Sequence, residues 1–370
     1  MAGQEFKQRQ LDKEFFERWL NPNDLGAVSR AAYALPDTIL QLRGDQEKVQ
    51  IYYRGVLMLT VNRNGSFQDV VNKTSFYVDD VAKFPWTDFF LMMMSGINAR
   101  GDCDAATPDK SGDTAHPNGC EKEVQQRIVM ENNFMGDAST TDYFIVDTEY
   151  NMKRQEAGQY ANRGRMDLIA LHWPSGNAHP TGIAFIEVKA GVNAIGEKAP
   201  RVVKDDEQGE ATLVDHLGDV CEFIEFLETG DNKKTFYQDM QIMFYQLYKM
   251  GWFKKRDNDR MKDFIDYWDK KFRDGIADVE TPKVVRTDEW AAPQMVFAIA
   301  NYKPGSKMLH NQIFGHPKSV AADNRCVKSL YTADARKKYD LRFATSDFIG
   351  YGLYDRCMLT LDEFIDRYEI

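Results

Sequence analysis

Two short apolar segments that end in charged residues constrain the fold of this chain more than any other feature. Residues 165–171 and 183–189 are rich in apolar side chains and are separated by a loop rich in glycine, proline and asparagine, as expected of two neighbouring strands. A strand with two apolar faces is normally buried in a sheet. Yet Glu187 and Lys189 end the second strand, and Asp167 shares a face with apolar residues of the first. Because buried charges are costly unless they are paired, two acids and a lysine at one sheet edge indicate a metal site.

The size and composition of the chain indicate a globular protein. Its 370 residues suffice for one large domain or two medium ones, and disorder beyond loops is not expected. The longest apolar run, around residues 89–94, is too short to span a bilayer, and residues 1–10 lack the apolar core of a signal peptide. We therefore expect a soluble, cytoplasmic protein with no membrane contact.

Cysteine usage and net charge limit the classes of function. The five cysteines are odd in number and contain no Cys-x-x-Cys pair, which argues against a disulfide framework or a zinc ribbon. Cys103, His116 and Cys120 share one polar loop and could bind zinc, but no fourth ligand is evident. The net charge of −10 argues against broad attraction to nucleic acid, while leaving room for a local basic groove.

The middle of the chain contains an ordered series of predicted helices and strands. In order, these are a helix at 121–132, strands at 142–150, 165–173 and 182–189, helices at 213–228 and 235–250, and a strand at 294–300. A helical crossover before the last strand would make that strand parallel to its partner. The sequence therefore predicts an α/β fold with a mixed sheet.

Two further regions flank this series. The predicted elements there are a helix at 14–20, strands at 50–61 and 66–71 around the Asn64-Gly65 turn, a buried helix at 84–97, a strand-like segment at 341–353 and a terminal helix at 361–368. The polar loop at 101–119 is the best boundary candidate. We therefore divide the chain into an N-terminal α+β region (1–101), a core (118–303) and a C-terminal extension (304–370).

The charged residues of the two apolar strands are the groups that phosphodiester hydrolysis requires. The Asp167 and Glu187 carboxylates and the Val188 backbone carbonyl are hard oxygen ligands that suit Mg²⁺ or Mn²⁺. A lysine beside them, here Lys189, can orient or deprotonate the attacking water and offset charge on the scissile phosphate.

This pattern resembles the PD-(D/E)XK nucleases, whose signature is an acid early in one strand followed by E/D-x-K on the next. Asp167 corresponds to the first acid, although Arg165-Met166 precede it in place of a proline, and Glu187-Val188-Lys189 matches the second element. The predicted elements over 118–301 follow the order of the family core, α-β-β-β-α-β. The resemblance implies that Asp167, Glu187 and Val188 bind the metal ion and that Lys189 orients the nucleophilic water.

A second motif points to one branch of this superfamily. Gln241 and Tyr245 fit the QxxxY motif of the RecB-like and lambda-exonuclease-like nucleases, and their spacing places them on one helical face. The resemblance implies that this helix backs the active site and that both side chains help to position DNA. Arg163 and Arg165, before the second strand, are either phosphate contacts or residues of a solvated loop.

Two more acids are candidates for the same site. Glu149 lies near the end of the strand at 142–150, where it could neighbour Asp167 and complete the metal shell or hold a second ion. Glu121 falls on the helical face that should cover the sheet, but Asn118 with Glu121 also forms a capping box, and we favour the cap.

The sequence thus predicts a Mg²⁺- or Mn²⁺-dependent nuclease acting on nucleic acid, with DNA favoured, of the kind found in restriction, repair or phage-defence systems. The alternative is a catalytically inactive nuclease-fold module that binds nucleic acid or a partner protein. The sequence contains neither a G-x-S-x-G motif nor a Walker-type glycine loop, so an ordinary α/β hydrolase or a nucleotide-binding enzyme has no support. Because the chain is acidic, we expect a homo-oligomer or a partner subunit to supply a basic channel.

Overall fold

The computed structural model describes residues 8–100, 121–133, 141–156, 159–190, 212–253, 258–276, 279–300, 307–315, 326–346 and 351–368. Within these residues the fold is mixed α/β, with two sheets and eleven α-helices. No helix in this part of the chain combines the length and the apolar character that a membrane crossing would need. The zinc candidates Cys103, His116 and Cys120, and the proposed cap Asn118, lie outside the described ranges.

The helices and strands are distributed along the chain as follows. The helices are α1 (Lys13–Leu20), α2 (Leu25–Tyr33), α3 (Trp86–Arg100), α4 (Glu121–Asn133), α5 (Leu213–Leu227), α6 (Asn232–Lys249), α7 (Asn258–Trp268), α8 (Lys307–Phe314), α9 (Val327–Leu330), α10 (Ala335–Lys338) and α11 (Leu361–Tyr368). The strands are β1 (Thr38–Arg43), β2 (Lys48–Tyr53), β3 (Val56–Asn62), β4 (Phe67–Asp69), β5 (Thr74–Phe76), β6 (Tyr143–Glu156), β7 (Gln159–His172), β8 (Gly182–Ala190), β9 (Gln294–Ala300), β10 (Asp340–Ser346) and β11 (Leu359–Thr360).

The first sheet is an antiparallel meander in the order β1-β2-β3-β4-β5. The predicted hairpin around Asn64-Gly65 is confirmed, since β3 pairs with β4 across this turn. The prediction of one strand over 50–61 is wrong, because the chain reverses at Arg54-Gly55 and forms β2 and β3. Both turn residues have positive φ, 49° and 81°, which is the backbone of a two-residue type I′ hairpin turn.

The second sheet has the order β11-β10-β9-β8-β7-β6. Strands β6, β7 and β8 pair antiparallel, whereas β9 runs parallel to both β8 and β10. The predicted parallel pairing of the strand at 294–300 is therefore confirmed. Eight of the nine residues of β8 are buried, as expected for a strand with neighbours on both edges and helices on its faces.

The β2–β3 turn packs against the first turn of α4. A Cβ atom added at Gly55 would lie 2.8 Å from the backbone C of Lys122 and N of Glu123, and the Gly55 N–H donates to Gln126 Oε1 at 2.6 Å. Only glycine fits this contact, because it has no Cβ and adopts positive φ without strain. The first sheet is thus fixed directly against the start of α4.

We expect Gly55→Ala to lower the free energy of unfolding by roughly 2–3 kcal/mol, because it combines positive-φ strain with a backbone clash. Gly176→Ala is a matched control, since Gly176 also has positive φ (95°) but a Cβ there would meet nothing within 4 Å. Urea denaturation of the two variants separates the effects. Equal losses of stability would show that the contact with α4 contributes nothing.

The N-terminal segment is bound to α6 by hydrogen bonds between backbone and side-chain groups. The backbone N–H groups of Arg9 and Gln10 donate to the two carboxylate oxygens of Asp239, at 3.0 and 3.2 Å. The Gln246 side chain accepts from the Leu11 N–H at 2.9 Å and donates to the Leu11 carbonyl at 2.8 Å. Residues near the start of the chain therefore form part of the core around α6.

Two buried guanidinium groups contact β6, that of Arg43 from β1 and that of Arg9 from the N-terminal segment, and we call Arg9, Arg43 and Asp147 the arginine clamp. Arg43 Nη1 lies 2.7 Å from Asp147 Oδ1, and Arg9 Nε lies 3.6 Å from Asp147 Oδ2. The clamp also donates to two backbone carbonyls of β6, from Arg43 Nη2 to Thr148 at 2.9 Å and from Arg9 Nη2 to Glu149 at 3.4 Å. Glu149 has a φ of 50°, a conformation that a non-glycine residue keeps only where its surroundings hold it.

Candidate functional site

The pairing of β7 with β8 places the two central acids opposite each other. The last recorded pair at this end is Leu168 with Ile186, so the next positions outward are Asp167 and Glu187. Opposite residues of antiparallel strands lie on one face. The Val188 N–H donates to Asp167 Oδ2 at 2.8 Å, so a side chain satisfies this backbone group of β8. Both acids are almost fully buried, with 2% and 3% of their surfaces exposed.

Two further side chains, Glu121 and His216, contact the ion pair of Glu187 and Lys189. Lys189 Nζ lies 2.6 Å from Glu187 Oε1 and 3.9 Å from Glu121 Oε2. His216 Nε2 lies 2.9 Å from the same Glu187 oxygen, Oε1. The structure therefore brings Asp167, Glu187 and Lys189 to one edge of the second sheet, together with Glu121 and His216.

The two acids differ in their pKa because their partners differ. Burial raises the pKa of Asp167 well above its usual value, and the nearby Glu187 raises it further. Burial would also raise the pKa of Glu187, but His216 and Lys189 outweigh burial and lower it. Glu187 is consequently a stable carboxylate, whereas Asp167 needs a cation beside it to ionise readily.

Lys189 is held in its charged form. Burial would lower its pKa, but the carboxylates of Glu187, Glu121 and Asp167 raise it above the usual value for lysine. A lysine in this state donates hydrogen bonds and supplies positive charge, and it is not a proton acceptor near neutral pH.

Glu121 is the first residue of α4 and contributes its carboxylate to this cluster. Besides its contact with Lys189, it raises the pKa of Asp167 through its charge. The capping box with Asn118, which the sequence favoured, involves a residue outside the described ranges and stays a prediction. The sequence did contain the signal for a site residue, namely an acid on the α4 face that carries the buried Val124 and Ile128.

His216 was not among the candidates from the sequence, because it has no partner at metal-ligand spacing. It lies in the first turn of α5, which begins with a capping box formed by Thr212 and Asp215. The Thr212-x-x-Asp215 motif could have located the start of this helix. The docking of that start beside Glu187 depends on tertiary packing, which no local motif encodes.

Glu149 occupies the position on β6 that faces Asp167. The register pairs Thr148 with Leu168 and Tyr150 with Met166, which leaves Glu149 across from Asp167. Its carboxylate oxygen Oε1 lies 3.9 Å from Lys122 Nζ on α4. The register therefore agrees with the predicted position of Glu149 across from Asp167. The role of Glu149 as a third metal ligand stays a prediction.

Gln241 and Tyr245 lie in the core and not among the charged residues of the site. Both are fully buried, and Gln241 Nε2 donates to the Val285 carbonyl at 3.1 Å, while the Tyr245 hydroxyl donates to Asp269 Oδ1 at 2.8 Å. Their described contacts therefore support the packing of α6. Contact of either side chain with DNA stays a prediction.

The arginines predicted to contact phosphate lie on β7. The backbone of Arg163 and Arg165 belongs to this strand, and Arg165 pairs with Asn151 of β6. Their side chains are outside what the structure describes, so phosphate contact by either residue stays a prediction.

The chemistry of the site fits a hard divalent cation. Two buried acids, Asp167 and Glu187, lie beside the backbone of Val188, and a cation that binds both would offset the burial and the repulsion from Glu187 that raise the pKa of Asp167. Within the described residues, no group of three or more His, Cys, Asp and Glu side chains is arranged as a metal cage. A site with two protein carboxylates suits Mg²⁺ in particular, because Mg²⁺ keeps several of its waters.

Comparisons with protein-family models, with curated proteins and with solved structures find no match to this chain.

Proposed function

We propose that this protein is a metal-dependent nuclease with a PD-(D/E)XK core, formed by α4, β6, β7, β8, the following helices and β9. The observation that carries the proposal is the buried cluster of Asp167, Glu187 and Lys189 at one edge of the mixed sheet. An isolated E-x-K sequence on a surface strand would leave its charges in solvent. Here all three ionisable side chains are buried, and a structural core has no need to retain them.

In this proposal Asp167, Glu187 and the Val188 carbonyl hold Mg²⁺ or Mn²⁺. When bound, the ion supplies Lewis-acid stabilisation of charge on the scissile phosphate and makes water a better nucleophile. Glu187 is the ionised ligand that His216 and Lys189 keep in place. Asp167 is the ligand whose ionisation depends most on positive charge nearby.

Lys189 acts in this proposal as a hydrogen-bond donor and a fixed positive charge. The surrounding carboxylates raise the pKa of Lys189, so its ammonium group stays protonated. In this form it orients the attacking water and offsets the charge that develops on the phosphate. Removal of the water's proton then requires another acceptor, and the carboxylate of Glu121, 3.9 Å from Lys189 Nζ, is the nearest described acid on α4. DNA as the substrate, the RecB-like branch and a place in restriction, repair or phage defence rest on the sequence resemblance.

The test is cleavage of linear and circular plasmid DNA with Mg²⁺, Mn²⁺ or EDTA. We expect metal-dependent cutting by the wild type and a loss of at least about a hundredfold in rate for Lys189→Ala, as when one transition-state donor is removed. Sparing of the circular plasmid would identify an exonuclease.

Lys233→Ala is the control for the loss of one lysine, because Lys233 lies on α6 and pairs at the surface with Glu228. It should cut at the wild-type rate. A folded wild type that cuts neither DNA nor RNA with any of these metals would contradict the proposal and favour an inactive binding module.

A further inference from the structure

His216 is held in place by the local structure of α5 before any ligand is considered. The Thr212 hydroxyl accepts from the Asp215 N–H at 3.3 Å, and the Asp215 carboxylate accepts from the Thr212 N–H at 2.8 Å. The His216 N–H donates to the Thr212 carbonyl at 3.0 Å. This capping box fixes the first helical turn and therefore the origin of the imidazole side chain.

The imidazole contacts Glu187 in one defined way. Its Nε2 lies 2.9 Å from Glu187 Oε1, and the imidazole is mostly buried, with 14% of its side chain exposed. A carboxylate oxygen only accepts hydrogen bonds, so Nε2 is the donor. Lys189 Nζ contacts the same oxygen, and both donors therefore fix the rotation of the carboxylate through Oε1.

From this geometry we infer that His216 is a positioning residue, which orients the Glu187 carboxylate for binding a divalent cation. The inference rests on the proposed function, in which Glu187 is a metal ligand. Donors that orient a ligating carboxylate restrict its motion, and their loss typically weakens metal binding about 10–100-fold.

The experiment measures Mn²⁺ binding to the full chain by isothermal titration calorimetry, with no nucleic acid present. We expect His216→Ala to raise the dissociation constant about 10–100-fold. His216→Gln should recover much of the affinity, because an amide N–H can donate to Glu187 in place of Nε2. His310→Ala, which removes an exposed histidine on α8, should bind Mn²⁺ like the wild type.

Cleavage at increasing Mn²⁺ gives a second readout. If His216 only positions a ligand, the rate of His216→Ala should return towards that of the wild type at saturating metal. A residue required for the chemical step would keep a low rate at every metal concentration, and that result would overturn the inference.

The remaining outcomes separate the inference from the proposed function. Wild-type affinity in a folded His216→Ala protein overturns the role of His216 alone. If both His216→Ala and His216→Gln lose Mn²⁺ binding, the imidazole itself is a metal ligand. That result also overturns the inference that His216 only positions Glu187. A wild type that binds no Mn²⁺, or binds it equally after Glu187→Gln, overturns the proposed metal site together with the inference.

Discussion

Arg43→Ala is expected to lower the free energy of unfolding by about 3–5 kcal/mol. The Arg43 guanidinium is buried, lies 2.7 Å from Asp147 Oδ1, and also donates to the carbonyls of Leu42 and Thr148 at 2.9 Å each. Its removal leaves the buried Asp147 carboxylate with the Thr148 N–H, which donates to Oδ1 at 2.8 Å, and with the longer contact from Arg9 as its remaining described ion pair. Uncompensated burial of a charge is among the most destabilising consequences of a point mutation.

Arg54→Ala is the matched control, because it removes the same side-chain type from a pair with Glu123 in which the arginine is 43% exposed. A surface pair of this kind contributes roughly 1 kcal/mol or less. Urea denaturation at neutral pH compares the two variants and the wild type. Equal losses for Arg43→Ala and Arg54→Ala would mean that the clamp does not stabilise the fold.

Asp239 should make the wild type lose stability as the pH rises from about 4 to about 7. Burial, reinforced by the charge of Asp147, raises the pKa of Asp239 to about 7, although two backbone N–H groups favour its ionised form. In this range the folded protein binds a proton that the unfolded chain has released. The contribution is therefore complete below the unfolded pKa and is lost as the pH passes the folded one, by on the order of 4 kcal/mol.

Asp239→Asn removes this titration. The difference in unfolding free energy between the variant and the wild type should therefore change by on the order of 4 kcal/mol between pH 4 and pH 8. Asp263→Asn, at an exposed position on α7, controls for the loss of one carboxyl group. Parallel stability curves for the wild type and Asp239→Asn over this range would refute the prediction.

The parts of the fold that follow from local patterns were predictable from sequence. The apolar strand at 294–300 and the terminal helix at 361–368 have the bounds that their patterns indicate. By contrast, β1 was not predicted, because Gln41 and Arg43 are polar and yet all six of its residues are buried. The partner that makes the burial of Arg43 possible, Asp147, lies 104 residues away in the chain.

The same distinction applies to the candidate site. Asp167, Glu187 and Lys189 could be identified because charges that interrupt apolar strands are conspicuous in a sequence. Glu121 and His216 could not be assigned with equal force, because each lies at the start of a helix, where a polar residue has an ordinary capping or surface role. Only the docking of both helix starts beside Lys189 and Glu187 distinguishes them.

The attachment of the N-terminal segment to α6 has a consequence for synthesis of the chain. Arg9 and Leu11 are synthesised more than 200 residues before their partners Asp239 and Gln246. Until α6 is made, the Asp239 carboxylate that fixes the Arg9 backbone is missing. The Arg9 guanidinium is the group that donates to the Glu149 carbonyl. These contacts join residues that are distant in sequence, so the part of the core around Arg9 and Leu11 can close only after α6 has been made.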